Sequence, residues 1–260
     1  MAFISSKPMP AELLMHDVEE WIYQVDQLKV RGLSVIPKER RKITRIVVYL
    51  RGGKGHVGRV RLARLLQFIS PHTLVFAPYY RGSNGSEGRD AFAGDDLKDV
   101  EEAVSILKSF YPTAYLHLIG FSRGGIQGLL TFQKVKADSY MIWGGVTDLH
   151  LMYEERVDLR GMLRRMVGHP KKDKEAYELR NAIKSIDHQS PPILIIHGAK
   201  DMQVSIRQAA YLEAHLKQVG AYFKTMYQCD EGHVPRPEAM KQVLNTVHQW
   251  MNDIEQDRLA

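Results

Sequence analysis

Apolar and polar positions change their rhythm several times along the chain, and each rhythm predicts a different element. Across residues 19–37 (EEWIYQVDQLKVRGLSVIP) they alternate through Trp21, Tyr23 and Val25, break at Asp26-Gln27, and alternate again from Leu28. A period of two interrupted by a short polar turn predicts a β-hairpin. Residues 43–50 (ITRIVVYL) and 74–77 form β-branched or apolar runs suited to strands buried on both faces. Between them, apolar residues at 57, 60, 65, 66 and 69, with arginines between, predict an amphipathic helix over 57–69. Residues 81–88 (RGSNGSEG) are a glycine-rich loop. Asp95 and Asp96 then open a helix whose apolar stripe is Leu97, Val100, Val104 and Leu107; acidic residues favour that end of a helix.

The second half continues the alternation of strand and helix. Strands are expected at 115–119, 140–143, 192–197 and 222–227, and helices after the first of these, at 206–219 and at 237–254. Such a succession predicts an α/β fold with a mostly parallel central sheet and helices on both faces. Residues 146–188 hold no clear strand and read as charge-rich helices, a cap inserted over the mouth of the site. The expected organisation is one domain over residues 1–260, with a leader and hairpin in 1–42, the first 17 residues helical or irregular.

Composition narrows the class. No apolar run approaches the ~20 residues of a membrane span, and the first residues lack the basic start and apolar core of a signal peptide. The single cysteine, Cys229, forms no internal disulfide, which fits a reducing compartment. A cytoplasmic protein with no membrane partner is expected. The net charge of +6 is dispersed, with local clusters at 38–42 and 160–174 that read first as solvated faces, so nucleic acid is not an expected partner. No histidine or cysteine spacing suggests a metal, no loop has the ending of a phosphate-binding P-loop, and no cofactor is expected.

Chemistry enters at Gly120-Phe121-Ser122-Arg123-Gly124, which follows the 115–119 strand and opens a helix. G-x-S-x-G between strand and helix is the nucleophile-elbow pattern of α/β-hydrolases, which lifts a serine hydroxyl above the sheet. The alternative is a serine in an ordinary turn. Downstream, the 192–197 strand runs into Asp201, and the 222–227 strand runs into Cys229-Asp230-Glu231-Gly232-His233. The order Ser, Asp, His is the order of that fold. A serine hydroxyl needs a neighbouring base, and the base needs an acid to fix its tautomer. Ser122, His233 and Asp201 are therefore the candidate nucleophile, base and acid. Asp230, three residues before the histidine, is the nearest rival acid.

The chain resembles the catalytic domain of the prolyl oligopeptidase family (serine peptidase family S9), without the β-propeller that accompanies it there. The likeness is carried by Gln27-Leu28-Lys29-Val30-Arg31-Gly32, Tyr80-Arg81-Gly82-Ser83, the elbow with Gly125, His197-Gly198-Ala199-Lys200-Asp201 with Val204, and Glu231-Gly232-His233. The resemblance implies the same triad, Ser122, Asp201 and His233. It also implies structural tasks for Glu87, Asp95 and Asp148: loop hydrogen bonds, helix capping and pairing with Arg81. Two positions depart from the family. Arg51-Gly52-Gly53 stands where a tyrosine or His-Gly-Gly-Pro is frequent, and Arg123 follows the serine. The oxyanion hole would comprise the Arg123 amide and a donor from the 51–53 loop, either a backbone amide such as that of Gly52 or the Arg51 guanidinium.

Arg51 and Arg123 so near the site suggest an anionic substrate; the alternative is that both make internal salt bridges. The expected function is acyl-enzyme hydrolysis of small peptides or aminoacyl substrates. A carboxylesterase acting on small esters is the alternative, and a hydrolase-fold protein that binds without turnover is a third reading. The expected partner is a small molecule or short peptide, and formation of a homo-oligomer is left open.

Overall fold

The computed structural model describes residues 2–53 and 58–257. Its strands are β1 (Ala2–Pro8), β2 (His16–Val25), β3 (Leu28–Pro37), β4 (Arg45–Leu50), β5 (Thr73–Pro78), β6 (Tyr115–Phe121), β7 (Ser139–Trp143), β8 (Ile193–Gly198) and β9 (Phe223–Gln228). Its helices are α1 (Leu62–Leu65), α2 (Leu97–Phe110), α3 (Gly124–Thr131), α4 (Leu149–Glu155), α5 (Arg160–Met166), α6 (Lys174–Glu178), α7 (Ile206–Val219) and α8 (Pro237–Asp257). The strands form one sheet in the order β1-β2-β3-β5-β4-β6-β7-β8-β9. Pairing is antiparallel from β1 to β5 and parallel from β5 through β9.

The sheet's period-two alternation divides its apolar residues between two cores. In β4, Ile46, Val48 and Leu50 join the cluster under α2, α3 and α7, while Val47 and Tyr49 join the one under α1 and α8. Tyr140 and Ile142 of β7 divide from Met141 and Trp143 in the same way. Helices therefore cover both faces, and the central strands are buried throughout, which is why they read as continuous apolar runs. The order reverses at β4: the chain goes to β5 on one side and to β6 on the other. The carboxyl ends of such neighbours border a crevice, the usual ligand position in open α/β sheets.

The expected hairpin is β2–β3, paired from Val25↔Leu28 to His16↔Pro37, with Asp26 at φ 52° in the two-residue turn. Two expectations are corrected. The leader is irregular only over residues 9–15: before them β1 pairs with β2 as an edge strand. Its side chains are mostly exposed, so no apolar alternation marks it. The helix expected over 57–69 is shorter, with α1 followed by a 3-10 turn at Leu66–Phe68; Leu65 and Phe68 are its buried anchors. Val57 lies outside the described residues.

Residues 146–188 hold α4, α5, α6 and short 3-10 turns but no strand. They pack through a separate apolar cluster that includes Val146, Leu149, Met152, Leu163 and Tyr177, and joins the sheet's helices through Ile126. No described helix is long and apolar enough to cross a membrane.

Candidate active site

Ser122 stands between β6 and α3 at φ 56°, in the left-handed region. A side chain there is strained, and the surrounding structure must hold it. It does so from three directions. Ser122 N donates to Trp143 O (3.1 Å), and Ser122 O accepts from Gly125 N and Val146 N (2.9 Å each). Gly124 is required by close approach, because a Cβ there would collide with the Leu50 carbonyl at the end of β4. The elbow is thus wedged against the neighbouring strand.

Asp201 follows β8 and His233 follows β9. His233 Nδ1 donates to Asp201 Oδ2 at 2.7 Å, and both side chains are buried. The other oxygen, Oδ1, accepts from the amides of Gln203 (2.8 Å) and Val204 (2.9 Å). Burial pushes the Asp201 carboxyl up. The hydrogen bond from His233 and those two amides outweigh it and hold the group below the usual aspartate range. Asp230 pairs instead with Lys200 at the surface, 2.8 Å away. Cys229 is free and exposed. The two loops are stitched together, with Lys200 N donating to Glu231 O (2.9 Å), while Glu231 anchors the histidine loop through Arg236.

Ser122 and His233 line the same cavity, of about 610 Å³. No hydrogen bond joins their side chains among the described residues. Such contacts often close only in the substrate complex. Phe121 packs on the histidine, with ring centroids 4.8 Å apart.

The arginines beside the serine do not reach for a substrate. Arg123 is 2 % exposed. Its guanidinium forks onto Asp90 (2.6 and 2.5 Å), bonds Asp96 (2.9 Å) and Gly53 O (3.2 Å), and stacks over Phe92. Burial opposes its charge, but Asp96 and Asp90 outweigh that cost. The Arg51 guanidinium is also buried and bonds Gly52 O (3.0 Å), Tyr79 O (3.1 Å) and Ser83 Oγ (3.0 Å). The idea that these two guanidiniums recognise an anion is therefore corrected, since both serve internal contacts.

What remains for an oxyanion is backbone. Arg123 is the N-cap of α3, so its amide precedes the helical ladder. Gly52 passes so close to Ser122 that a Cβ would lie 2.7 Å from Ser122 Cβ and 3.2 Å from Oγ. Both arginines hold carbonyls of this loop, those of Gly52 and Gly53. The amide of a peptide group points opposite its carbonyl, so the hold of Arg51 on the Gly52 carbonyl orients the Gly53 amide.

Two functional neighbours went unassigned in the sequence. Nε2 of buried His197 bonds Val204 O at 2.8 Å and lies 3.5 Å from Asp201 Oδ2, bracing the acid's loop; its position four residues before Asp201 was the available signal. Asp90, the Arg123 partner, carries no motif. Arg81 pairs with buried Asp99 (2.7 Å) rather than with Glu87, Asp95 or Asp148. Of those three, Glu87 accepts from Lys29 N and Asp148 caps α4 through Leu151 N. Asp95 lies 3.6 Å from Lys98 in the first turn of α2.

A nine-strand, mostly parallel sheet with a strained serine between strand and helix defines an α/β-hydrolase. The model of the prolyl oligopeptidase family matches residues 65–257, and the chain belongs to that family. It is 40% identical over 237 residues to the uncharacterized peptidase YtmA of Bacillus subtilis (strain 168), covering 89% of this chain and 91% of YtmA. The uncomplexed acylaminoacyl peptidase of Pyrococcus horikoshii aligns with a TM-score of 0.76 at 16% identity, over 94% of this chain but only 42% of its own. Est1E of Butyrivibrio proteoclasticus, solved with ferulic acid bound, aligns with a TM-score of 0.69 at 14% identity, over 90% of this chain and 99% of its own. These two likenesses show the fold. With the family, they make the protein a serine hydrolase.

Proposed function

We propose that Ser122, His233 and Asp201 are a catalytic triad that hydrolyses the acyl bond of a short peptide or aminoacyl substrate. The observation that carries this reading is the 2.7 Å hydrogen bond between His233 and Asp201 beside a serine held at positive φ in the same cavity. Ser122 Oγ attacks the carbonyl carbon while His233 Nε2 takes the hydroxyl proton. The oxyanion is met by the Arg123 amide and an amide of the Gly52–Gly53 loop, each such donor accounting for ~100–1000-fold in rate. His233 then gives its proton to the leaving nitrogen or oxygen, and the C–N or C–O bond breaks. Water, deprotonated by His233, releases the acyl half as its acid and regenerates Ser122.

The family and the peptidase-named relative favour amide substrates. Ester hydrolysis is a second reading, supported by the likeness to Est1E over nearly its whole length. A cytoplasmic setting belongs to the same proposal and is supported by the lone exposed cysteine. The test is a serine-directed fluorophosphonate probe followed by aminoacyl p-nitroanilides and p-nitrophenyl esters. Labelling and turnover are expected in the wild type, with neither in Ser122→Ala. A folded wild type that is neither labelled nor active refutes the reading.

A further inference from the structure

The cavity has two unlike walls. One, from the cap and its neighbours, is apolar, with Phe92, Val146, Met152, Leu159 and Met162. The other comes from the segment between β4 and β5 and presents Arg59, Arg61 and Arg64. No carboxylate lines the cavity among the described residues. Arg123 and Arg156 also border it, but each is neutralised, Arg123 by Asp90 and Asp96, and Arg156 by Asp158 at 2.6 Å. Arg61 is exposed, and its guanidinium makes no hydrogen bond or ion pair among the described residues. The hydrogen-bond acceptor of Arg64 is the neutral amide oxygen of Gln67 (2.9 Å), and its guanidinium lies over the rings of Phe121 (5.3 Å) and Trp143 (5.1 Å). Two guanidiniums thus face the cavity without a carboxylate to balance them. Guanidiniums in that state are suited to bind a carboxylate or phosphate with paired hydrogen bonds.

The position of this wall relative to the scissile bond follows from two contacts. His233 protonates the leaving group, so that group lies on the histidine side. Phe121 touches the His233 ring, and Arg64 covers Phe121. The run His233–Phe121–Arg64 therefore leads from the proton donor to the basic wall. Val146, whose amide bonds Ser122 O at 2.9 Å, joins the serine to the apolar wall. Resting on the serine hydrolase reading above, we infer that the substrate has an apolar acyl half and a leaving group that carries a carboxylate. A short peptide or N-acyl amino acid with a free C-terminal carboxylate fits this description. Hydrolysis releases the amine with its carboxylate, its nitrogen taking the proton from His233, and the acyl half leaves as a second acid. The competing account is that these side chains are solvated and merely cover apolar surface with their stems.

The test compares 4-acetoxybenzoate with 4-acetoxybenzamide, each enzymatic kcat/KM divided by the same ester's rate with hydroxide, and N-acetyl-leucyl-glycine with its C-terminal amide. Both pairs are measured with the wild type, Arg61→Gln and the Arg61→Gln/Arg64→Gln double variant. The wild type is expected to favour the carboxylate member about tenfold to hundredfold, the range of one charge-assisted hydrogen bond. The preference is expected to shrink in Arg61→Gln, to approach one in the double variant, and to weaken in the wild type at 0.5 M salt, about where exposed charges are screened within a few ångströms. Equal treatment of both members by the wild type, or an unchanged preference in the double variant, overturns the inference while ester turnover and fluorophosphonate labelling leave the triad standing. Absence of both turnover and labelling overturns the triad and the inference with it.

Discussion

His233 Nδ1 lies 2.7 Å from Asp201 Oδ2, and the opposite oxygen of the same carboxylate is held by the amides of Gln203 and Val204. The acid is thereby fixed on both sides, and its carboxyl is held below the usual aspartate range although burial alone would raise it. Asp201→Asn keeps the shape but invites the wrong histidine tautomer, so kcat is expected to fall about 10⁴-fold in a folded protein. A depressed folded pKa stabilises the fold at pH above the unfolded value of ~3.9 and loses that contribution as pH falls through the folded value. The stability gap between wild type and Asp201→Asn should therefore be full at neutral pH and close on acidification below ~3.9. Urea titrations at several pH values measure it, and a gap that widened in acid would contradict the assignment.

Ser122 at φ 56° gives a test that separates strain from chemistry. Ser122→Ala and Ser122→Gly both remove the hydroxyl, so both should be inactive. Alanine keeps the Cβ that clashes in the left-handed region, whereas glycine relieves it, at the cost of greater freedom in the unfolded chain. With strain of ~1–3 kcal/mol for such a position against ~0.5–1 kcal/mol for glycine, Ser122→Gly is expected to be the more stable variant by about 1 kcal/mol. Equal unfolding free energies would mean that the elbow is unstrained.

The Arg123 fork onto Asp90 and Asp96 ties the loop after β5 to the elbow in a cluster where Arg123 and Asp96 are buried. Asp96 also accepts from Gln127 Nε2 at 2.6 Å and from the Ala93 and Gly94 amides, and burial pushes its carboxyl up less than Arg123 and these donors pull it down. Breaking a buried pair by removing one charge costs ~3–5 kcal/mol. Asp96→Asn keeps part of the hydrogen bonding and is expected near the lower end, at about 3 kcal/mol. A loss under 1 kcal/mol in chemical denaturation would show that Asp90 alone suffices.

The three candidate triad residues were legible because each follows a strand marked by an apolar run, and the fold delivers strand ends to one edge. The roles of Arg51 and Arg123 were not, because a guanidinium's direction depends on partners far along the chain: Asp90 lies 33 residues from Arg123, and Ser83 32 residues from Arg51. The cavity's arginines between β4 and β5 were read only as the polar side of a helix. Arg61 is in fact extended, at φ −116° and ψ 133°, just before α1 begins. Strand β1 was hidden for a different reason: an edge strand held by main-chain bonds to one neighbour needs no apolar period.

Gly52 supplies a test of the proposed oxyanion loop. In Gly52→Ala the new methyl would meet Ser122 Cβ at 2.7 Å and Oγ at 3.2 Å, so either the loop or the nucleophile must move. Displacing one donor is expected to lower kcat at least ~100-fold with a smaller change in KM, since the lost contact forms only in the transition state. Overpacking should also cost ~1–3 kcal/mol of stability. The two effects can be separated in the Gly52→Ala/Ser122→Gly double variant, where the colliding serine side chain is gone. Stability should recover beyond the sum of the single changes, because the two positions are in direct contact. Strict additivity in the unfolding free energies would show that the Gly52 loop and the serine do not share that space.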